Sequence, residues 1–286
     1  GLAFRLYAHQ RGHEVDLFDK GSEIGGQFNY AKQVPGKEEF YETIRYFNVQ
    51  ISKSAINLQL NTLKTAEQLL LENYDEVVLA TGIIPRKLTI DGIEHNKVKS
   101  YLQVLRDKEP VGKKVAIIGA GGICFDVASF LAEDTSLALD KEAWLAEWGV
   151  DKNYQDGGSI IPVQPEKSVR EIYLLQRKSS KIGAGLGKTT GWIHRTTLKN
   201  KGIKMLNNVG YKRISDQGLE IEIAGETQIL DVDHVIVCGG QEPERSLYQT
   251  LKEQGQSTHL IGGANIASEL DAKRAIREAA ELAMII

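Results

Sequence analysis

Lys-Lys-Val-Ala-Ile-Ile-Gly-Ala-Gly-Gly-Ile-Cys-Phe-Asp, residues 113–126, decides the fold. Its apolar run reads as a buried parallel strand, the glycines end that strand in a turn, and the apolar residues beyond them read as a helix. Gly119 permits the tight turn and Gly121 lets backbone approach an anion with no Cβ in the way. The helix that follows directs free N–H groups and its positive dipole end at that anion. A strand, a glycine turn and a helix in this order are the pattern of a dinucleotide-binding unit. The full pattern has a third small residue at the helix–strand contact, where Cys124 stands.

The 286 residues exceed the ~100–200 of one ordinary domain, so two domains are expected. With 35 Lys and Arg against 38 Asp and Glu, the net charge of -3 gives no reason to expect nucleic acid or an anionic membrane as partner. No apolar run approaches the ~20 residues of a membrane span and the first residues lack a signal-peptide pattern, so the cytoplasm is the expected compartment. The only cysteines, Cys124 and Cys238, form no CxxC pair and no metal cluster; both are expected to be reduced and buried.

Outward from residues 113–126, the chain opens with a helix over 2–10 and a strand over 13–18 that ends on Asp19. Asp19 follows Gly1 by 18 residues, the spacing of a ribose-binding acid after a GxGxxG turn whose third glycine would be Gly1. The expectation is a first dinucleotide domain cut inside its turn, lacking its first strand and binding FAD poorly when isolated. Gly25, Gly26 and Gln27 form a loop that a flat or phosphorylated ligand can approach. Helices are expected over 38–50 and 66–71 and strands over 57–60 and 76–80. The last strand leaves its sheet through Thr81-Gly82 and Pro85, at the edge where open α/β sheets bind ligands.

Beyond the glycine turn, residues 134–168 read as a long Gly-, Pro- and charge-rich excursion, and 171–175 as the second strand of the unit. Arg177 and Lys178 follow where a ribose-binding acid would stand; cations there favour NADPH over NADH, because a guanidinium can bind a 2′-phosphate with two charge-assisted bonds. The run 181–190 falls one residue short of a P-loop, with Ile182 in place of its first glycine, yet Lys181, Gly185, Gly187, Lys188 and Thr189 suit the phosphates of the same nucleotide. Residues 203–206 and 210–231 read as short antiparallel strands with a turn at 224–226. The strand over 234–238 exits through Gly239-Gly240 and Pro243, repeating the Thr81-Gly82 exit, and such a repeat suggests two nucleotide halves. A strand over 259–261, then Gly263 and Asn265, lead into a helix starting at Ala272 and aimed at a ligand. The fold expected is α/β in three layers, with two Rossmann-like dinucleotide-binding domains, the second (111–241) inserted in the first (1–110 and 242–286).

This order resembles the flavoprotein reductases with two dinucleotide-binding domains. More narrowly, Glu23-Ile-Gly-Gly-Gln-Phe-Asn29, Pro35-Gly-Lys-Glu-Glu-Phe40 and Gly185-Leu-Gly-Lys-Thr-Thr-Gly-Trp-Ile-His-Arg195 resemble the bacterial NADPH-dependent 2,4-dienoyl-CoA reductases, relatives of old yellow enzyme and trimethylamine dehydrogenase, over nearly the whole chain. The resemblance implies a preceding (β/α)8 barrel with FMN and a 4Fe-4S cluster, neither of which lies in this sequence. NADPH would reduce FAD, and electrons would pass through the cluster to FMN and on to a dienoyl-CoA of fatty acid β-oxidation. By position it implies that Asp19 binds the FAD ribose, that Gln27 and Lys37 contact FAD, that backbone near Lys64 meets the adenine, and that 178–189 hold NADPH. Asn265 stands where these flavoproteins carry an Asp on the ribityl chain. Hydride transfer requires stacking and orientation, so no catalytic acid, base or metal ligand is assigned, and His194, His234 and His259 are expected to be structural. A flavin disulfide reductase is disfavoured by the missing CxxC; a trimethylamine dehydrogenase-like oxidoreductase and a non-catalytic nucleotide-binding remnant stay open.

Overall fold

The computed structural model describes residues 1–54, 56–155, 157–268 and 271–286. Two compact α/β units emerge: Gly1–Phe28, Phe40–Arg86 and Gln241–Ile286 form the first, Asn29–Glu39 and Lys87–Gly240 the second. Strands β1 (Asp16–Phe18), β2 (Asn57–Gln59), β3 (Val77–Leu79) and β4 (Ile83–Pro85) belong to the first unit. The second contains β5 (Val98–Ser100), β6 (Lys114–Ile118), β7 (Glu171–Leu175), β8 (Lys204–Leu206), β9 (Gly210–Ser215), β10 (Gly218–Ile223), β11 (Glu226–Leu230) and β12 (His234–Val237). The chain then returns through β13 (Gln241–Pro243) and β14 (Thr258–Leu260).

In the second unit a parallel sheet runs β5-β12-β6-β7-β8. Side chains alternate across a strand, so successive residues of β6 serve opposite faces. Val115 and Ile117 join Phe125, Val127 and Leu131 of the Gly122–Ala132 helix and Leu198 of the Gly191–Asn200 helix. Ala116 and Ile118 join Ile214, Leu219, Ile221 and Leu230 of the β9–β10–β11 antiparallel sheet. Helices, parallel sheet and antiparallel sheet are thus three layers sharing one doubly buried strand, which explains why β6 reads as an uninterrupted apolar run.

Three features differ from the sequence reading. Residues 203–206 are not antiparallel: β8 pairs parallel with β7, Tyr173 opposite Lys204, and the antiparallel part is confined to β9–β11. Ala224 (φ 54°) and Gly225 (φ 85°) make that hairpin turn, both left-handed, as a two-residue connection of right-twisted strands requires. Within the excursion, a helix spans Lys141–Trp148, capped by Asp140 Oδ1, which accepts from the N–H groups of Glu142 (3.0 Å) and Ala143 (3.1 Å), and ended by Gly149 at φ 64°. Finally, 87–110 and 29–39 cluster with the second unit. There β5 extends the sheet beside β12 and Val34 is buried among the helices of that unit's core.

In the first unit β1 pairs parallel with β2, and β3 with β14. The two repeated exits are partners, since β4 and β13 form an antiparallel ribbon with Ile83 opposite Pro243. Small residues let the helices Leu2–Gln10 and Ala272–Ile285 approach closely, with Ala3, Ala8, Ala279 and Ala283 in one cluster with Phe4 and Ile261. Arg5 interrupts this pattern. It is 1% exposed, and among the described residues none of its guanidinium nitrogens has a hydrogen-bond partner. Burial pushes its pKa down to about 10, against the opposing attraction of Asp16. An unsatisfied buried cation is costly, so Arg5→Met is expected to raise the unfolding free energy by about 1–3 kcal/mol. Chemical denaturation at neutral pH checks this, and a lowered midpoint would count against it.

Candidate dinucleotide sites

At the carboxyl end of β6, Gly119 has φ 121° and its N–H donates to the Leu175 carbonyl at 2.9 Å. A Cβ on Gly119 would stand 2.7 Å from Cys124 Sγ and 3.1 Å from the Cys238 carbonyl, so only glycine fits without a shift. A Cβ on Gly121 or Gly122 would meet nothing within 4 Å. The turn is therefore tight toward the protein and open on its other side, which suits a pyrophosphate lying against the start of the Gly122–Ala132 helix. Cys124 is the helix residue under the turn, its Sγ 3.6 Å from the Cys238 carbonyl that accepts from it. Tyr211, unrecognised in the sequence, reaches from β9 and donates its hydroxyl to the same Leu175 carbonyl at 3.1 Å. Burial pushes its pKa up, so it stays a neutral donor.

The strand order places β7 and β8 on one side of β6 and β12 and β5 on the other, so the glycine turn sits at the switch point where open α/β sheets bind ligands. Gly239 and Gly240 lie beside it after β12; a Cβ on Gly239 would press to 2.6 Å from Leu88, and Gly240 has φ 111°. On the other side Arg177 and Lys178 are exposed at the end of β7, and Arg177 lines a cavity of about 380 Å3 with Asn208, Gly210, Glu222 and Gly225. In the 181–190 loop, Gly183 (φ 70°) abuts Phe125, its carbonyl accepting from Arg195 Nη1 at 3.1 Å, whereas Gly185 faces open space. Lys181, Lys188 and Thr189 are exposed, and Gly187 accepts from the Gly191 N–H at 2.8 Å.

Lys37 belongs to the second unit and donates to both carboxylate oxygens of Asp126, each at 2.7 Å. Burial and the nearby Lys37 push His194 down, with Asp126 opposing. His234 Nδ1 accepts from the Gly112 N–H at 3.1 Å, and His259 Nε2 lies 2.8 Å from Glu76. Among the described residues no group of three or more His, Cys, Asp or Glu could hold a metal ion, and no helix is long and apolar enough to cross a membrane.

The first unit gathers its candidates at the carboxyl ends of β1, β3 and β14. Gly1 begins the Leu2–Gln10 helix, and its Cβ position lies 3.5 Å from Ala80 Cβ and 3.7 Å from Leu17 Cδ1. Asp19 follows β1 and accepts from the Gly21 N–H through Oδ1 at 2.7 Å. Gly25 (φ 116°) and Gly26 (φ 50°) lead into Gln27, which is exposed. Thr81 Oγ1 donates to the Glu244 carbonyl at 2.5 Å, and Gly82 (φ 79°) faces open space. Gly263 is buried in the turn after β14; Asn265 Nδ2 is 3.5 Å from Glu278 Oε2, and Ala272 starts the last helix, capped by Asp271. The Lys64 ammonium lies 4.4 Å above the Phe18 ring and pairs with Glu72.

The parallel sheet of the second unit with its glycine turn, and the parallel strand pairs with glycine exits in the first, define a dinucleotide-binding class of protein. The chain belongs to the pyridine nucleotide-disulphide oxidoreductase family, whose model matches residues 1–273. Membership implies binding of FAD and a nicotinamide nucleotide. The chain is 27% identical to a metal reductase of Desulforamulus reducens over 92% of its own length and 39% of the relative's. It is 28% identical to a cinnamate reductase of Clostridium sporogenes over 93% of its length and 35% of the relative's. Among solved structures, a 2-naphthoyl-CoA reductase bound to 2-naphthoyl-CoA superposes with a TM-score of 0.82 at 25% identity, covering 100% of this chain and 38% of that one. The chain therefore spans less than two fifths of the length of these relatives. It is a flavin-dependent oxidoreductase domain, and Cys124 and Cys238 are buried free thiols.

Proposed function

We propose that this chain is the electron-entry module of a cytoplasmic flavoprotein of the 2,4-dienoyl-CoA reductase type, transferring hydride from NADPH to FAD. The observation that carries the reading is the open glycine turn at 119–122 with Arg177 and Lys178 beside it at the next strand end. Bound in the first unit, FAD would supply the two-electron acceptor for the hydride of the nicotinamide. The chain's own residues bind and orient. Gly119, Gly121 and Gly122 admit the nicotinamide nucleotide's pyrophosphate, Arg177 and Lys178 take its 2′-phosphate, and Lys181 through Thr189 line its phosphates. Asp19 accepts from the FAD ribose, Gly25 to Gln27 and Thr81-Gly82 leave room for the flat flavin, and Gly263, Asn265 and Ala272 meet its ribityl and phosphate groups.

Reduction of the carbon–carbon double bond would belong to a barrel with FMN and a 4Fe-4S cluster outside this chain. Relatives named for cinnamate and 2-naphthoyl-CoA, both conjugated substrates, support an activated unsaturated acyl group. The test is anaerobic bleaching of the flavin in the full-length protein. NADPH should bleach it at least about tenfold more efficiently than NADH, and Arg177→Ala should lower the efficiency with NADPH by about 10–100-fold, the value of a charge-assisted contact. Equal efficiency with both nucleotides would defeat the nucleotide assignment. Bleaching by NADPH without turnover of 2,4-dienoyl-CoA would defeat only the substrate.

A further inference from the structure

Arg177, Lys178, Ser179, Ser180 and Lys181 are all exposed, yet their backbone is pinned from within. Gln176 Nε2 donates to the carbonyls of Lys178 (3.0 Å) and Ser180 (2.7 Å) and lies 3.3 Å from Ser180 Oγ. Asn207 Nδ2, from the end of β8, donates to the carbonyls of Ser179 (2.8 Å) and Ser180 (3.3 Å). Three amides complete the set: Val209 donates to the Gln176 carbonyl (2.9 Å), Asn208 to that of Lys178 (3.1 Å) and Ala184 to that of Lys181 (3.1 Å). Asn208 reaches its partner through a left-handed φ of 55°.

The carbonyls of 176, 178, 179, 180 and 181 thus accept hydrogen bonds, whereas among the described residues no backbone N–H of 177–181 has an acceptor. A loop whose acceptors are committed and whose N–H groups are not is electropositive along its open side, as in the backbone concavities that bind anions. Two serine hydroxyls and three cationic side chains lie on the same five residues. A phosphate monoester dianion matches that set: it presents only acceptors, several of them, and two charges.

We infer that Gln176 and Asn207 are positioning residues that hold 177–181 as a preformed cradle for the 2′-phosphate of NADPH. The inference rests on the NADPH reading above and extends it from two cations to a built loop. Without the two carboxamides the cations would remain, but the loop would have to be ordered at each binding event, and that entropy is subtracted from affinity. Lost positioning therefore acts on the phosphorylated nucleotide alone.

The experiment measures steady-state kinetics of the flavin-loaded protein with NADPH and with NADH, for Asn207→Leu, Gln176→Leu and the carboxamide-retaining Asn207→Gln. Adenosine 2′-monophosphate and inorganic phosphate serve as competitive probes. In both leucine variants KM for NADPH should rise about tenfold, with kcat and the KM for NADH within about twofold, while Asn207→Gln recovers most of the loss. Adenosine 2′-monophosphate should weaken in parallel; if inorganic phosphate alone binds the wild type, the loop is not a nucleotide cradle and the inference fails. Equal rises for NADPH and NADH would mark a merely structural role and overturn it, as would an unchanged KM for NADPH. A wild-type protein without preference for NADPH would overturn the NADPH reading and this inference with it. A preference that survives both leucine variants would overturn the inference alone.

Discussion

Lys201→Met is expected to destabilise the second unit by roughly 3–5 kcal/mol, a fall in Tm on the order of 10 °C. The Lys201 side chain is 1% exposed at the end of the Gly191–Asn200 helix, 3.1 Å from Glu133 and 3.3 Å from Glu147. Glu133 follows the Gly122–Ala132 helix and Glu147 lies on the Lys141–Trp148 helix, so one ammonium holds three helix ends together. Methionine fills much the same volume but leaves two largely buried carboxylates near each other without a counter-charge. Burial already raises the pKa of Glu133 above its ordinary 4.5, with Lys201 pulling it down and Glu147 pushing it up.

The sign of the pH dependence follows from that shift. A carboxyl whose pKa is raised by folding favours the folded state fully below its unfolded pKa, and the contribution is lost as pH rises through the folded value. Removing Lys201 raises the folded value further. The deficit of Lys201→Met relative to wild type should therefore be small near pH 4 and largest at pH 7. Adding Glu133→Gln and Glu147→Gln to Lys201→Met should recover most of the stability, because neutral amides no longer need the cation. Thermal denaturation at both pH values reads the effect. A pH-independent deficit would point to lost packing instead.

None of this triad could be read from the sequence, and the reason is general. Local pattern carries a residue's own element, not its partner: Glu133, Glu147 and Lys201 look like three ordinary surface charges until the helices converge. The Lys141–Trp148 helix was likewise masked, since it buries none of its own residues and shows no apolar stripe, although Asp140 and Gly149 supply the cap and stop that would have marked it. The same limit hid the direction of β8, because parallel and antiparallel partners of one short strand have the same composition. It also hid the pairing of Lys37 with Asp126, 89 residues away.

What could be read was whatever one strand or turn determines alone. The helices at Leu2–Gln10 and Ala66–Leu71 have the bounds their patterns give, and β7 spans residues 171–175 as expected. The glycine turn was legible because a doubly buried strand must be apolar throughout and only glycine turns it so sharply. The repeated exits at 81–85 and 239–243 were visible as a repeat, but a repeat does not reveal that β4 and β13 pair with each other. Tyr211, which supports the turn from β9, carries no local signal of that role.

The turn itself yields the sharpest functional expectation. Gly119→Ala should abolish reduction of the flavin by nicotinamide nucleotide while leaving FAD content unchanged, because the altered turn lies within the second unit. Two costs add at this position. An alanine at φ 121° is strained by about 1–3 kcal/mol, and its Cβ would press to 2.7 Å from Cys124 Sγ and 3.1 Å from the Cys238 carbonyl. Relief of that crowding must move either the Gly122–Ala132 helix start or the end of β12, and both border the open side where the pyrophosphate is proposed to lie. The two costs can be separated. Cys124→Ala alone removes the thiol that occupies the third small-residue position and should leave nucleotide binding within about twofold, since the thiol is a weak donor, here to the Cys238 carbonyl. In the Gly119→Ala, Cys124→Ala double variant the sulfur clash is gone and the backbone strain is not, so affinity should return in part, measured by isothermal titration with the nucleotide. Recovery to the wild-type value would show that side-chain crowding alone makes Gly119 obligatory. No recovery would assign the requirement to φ and to the carbonyl of Cys238.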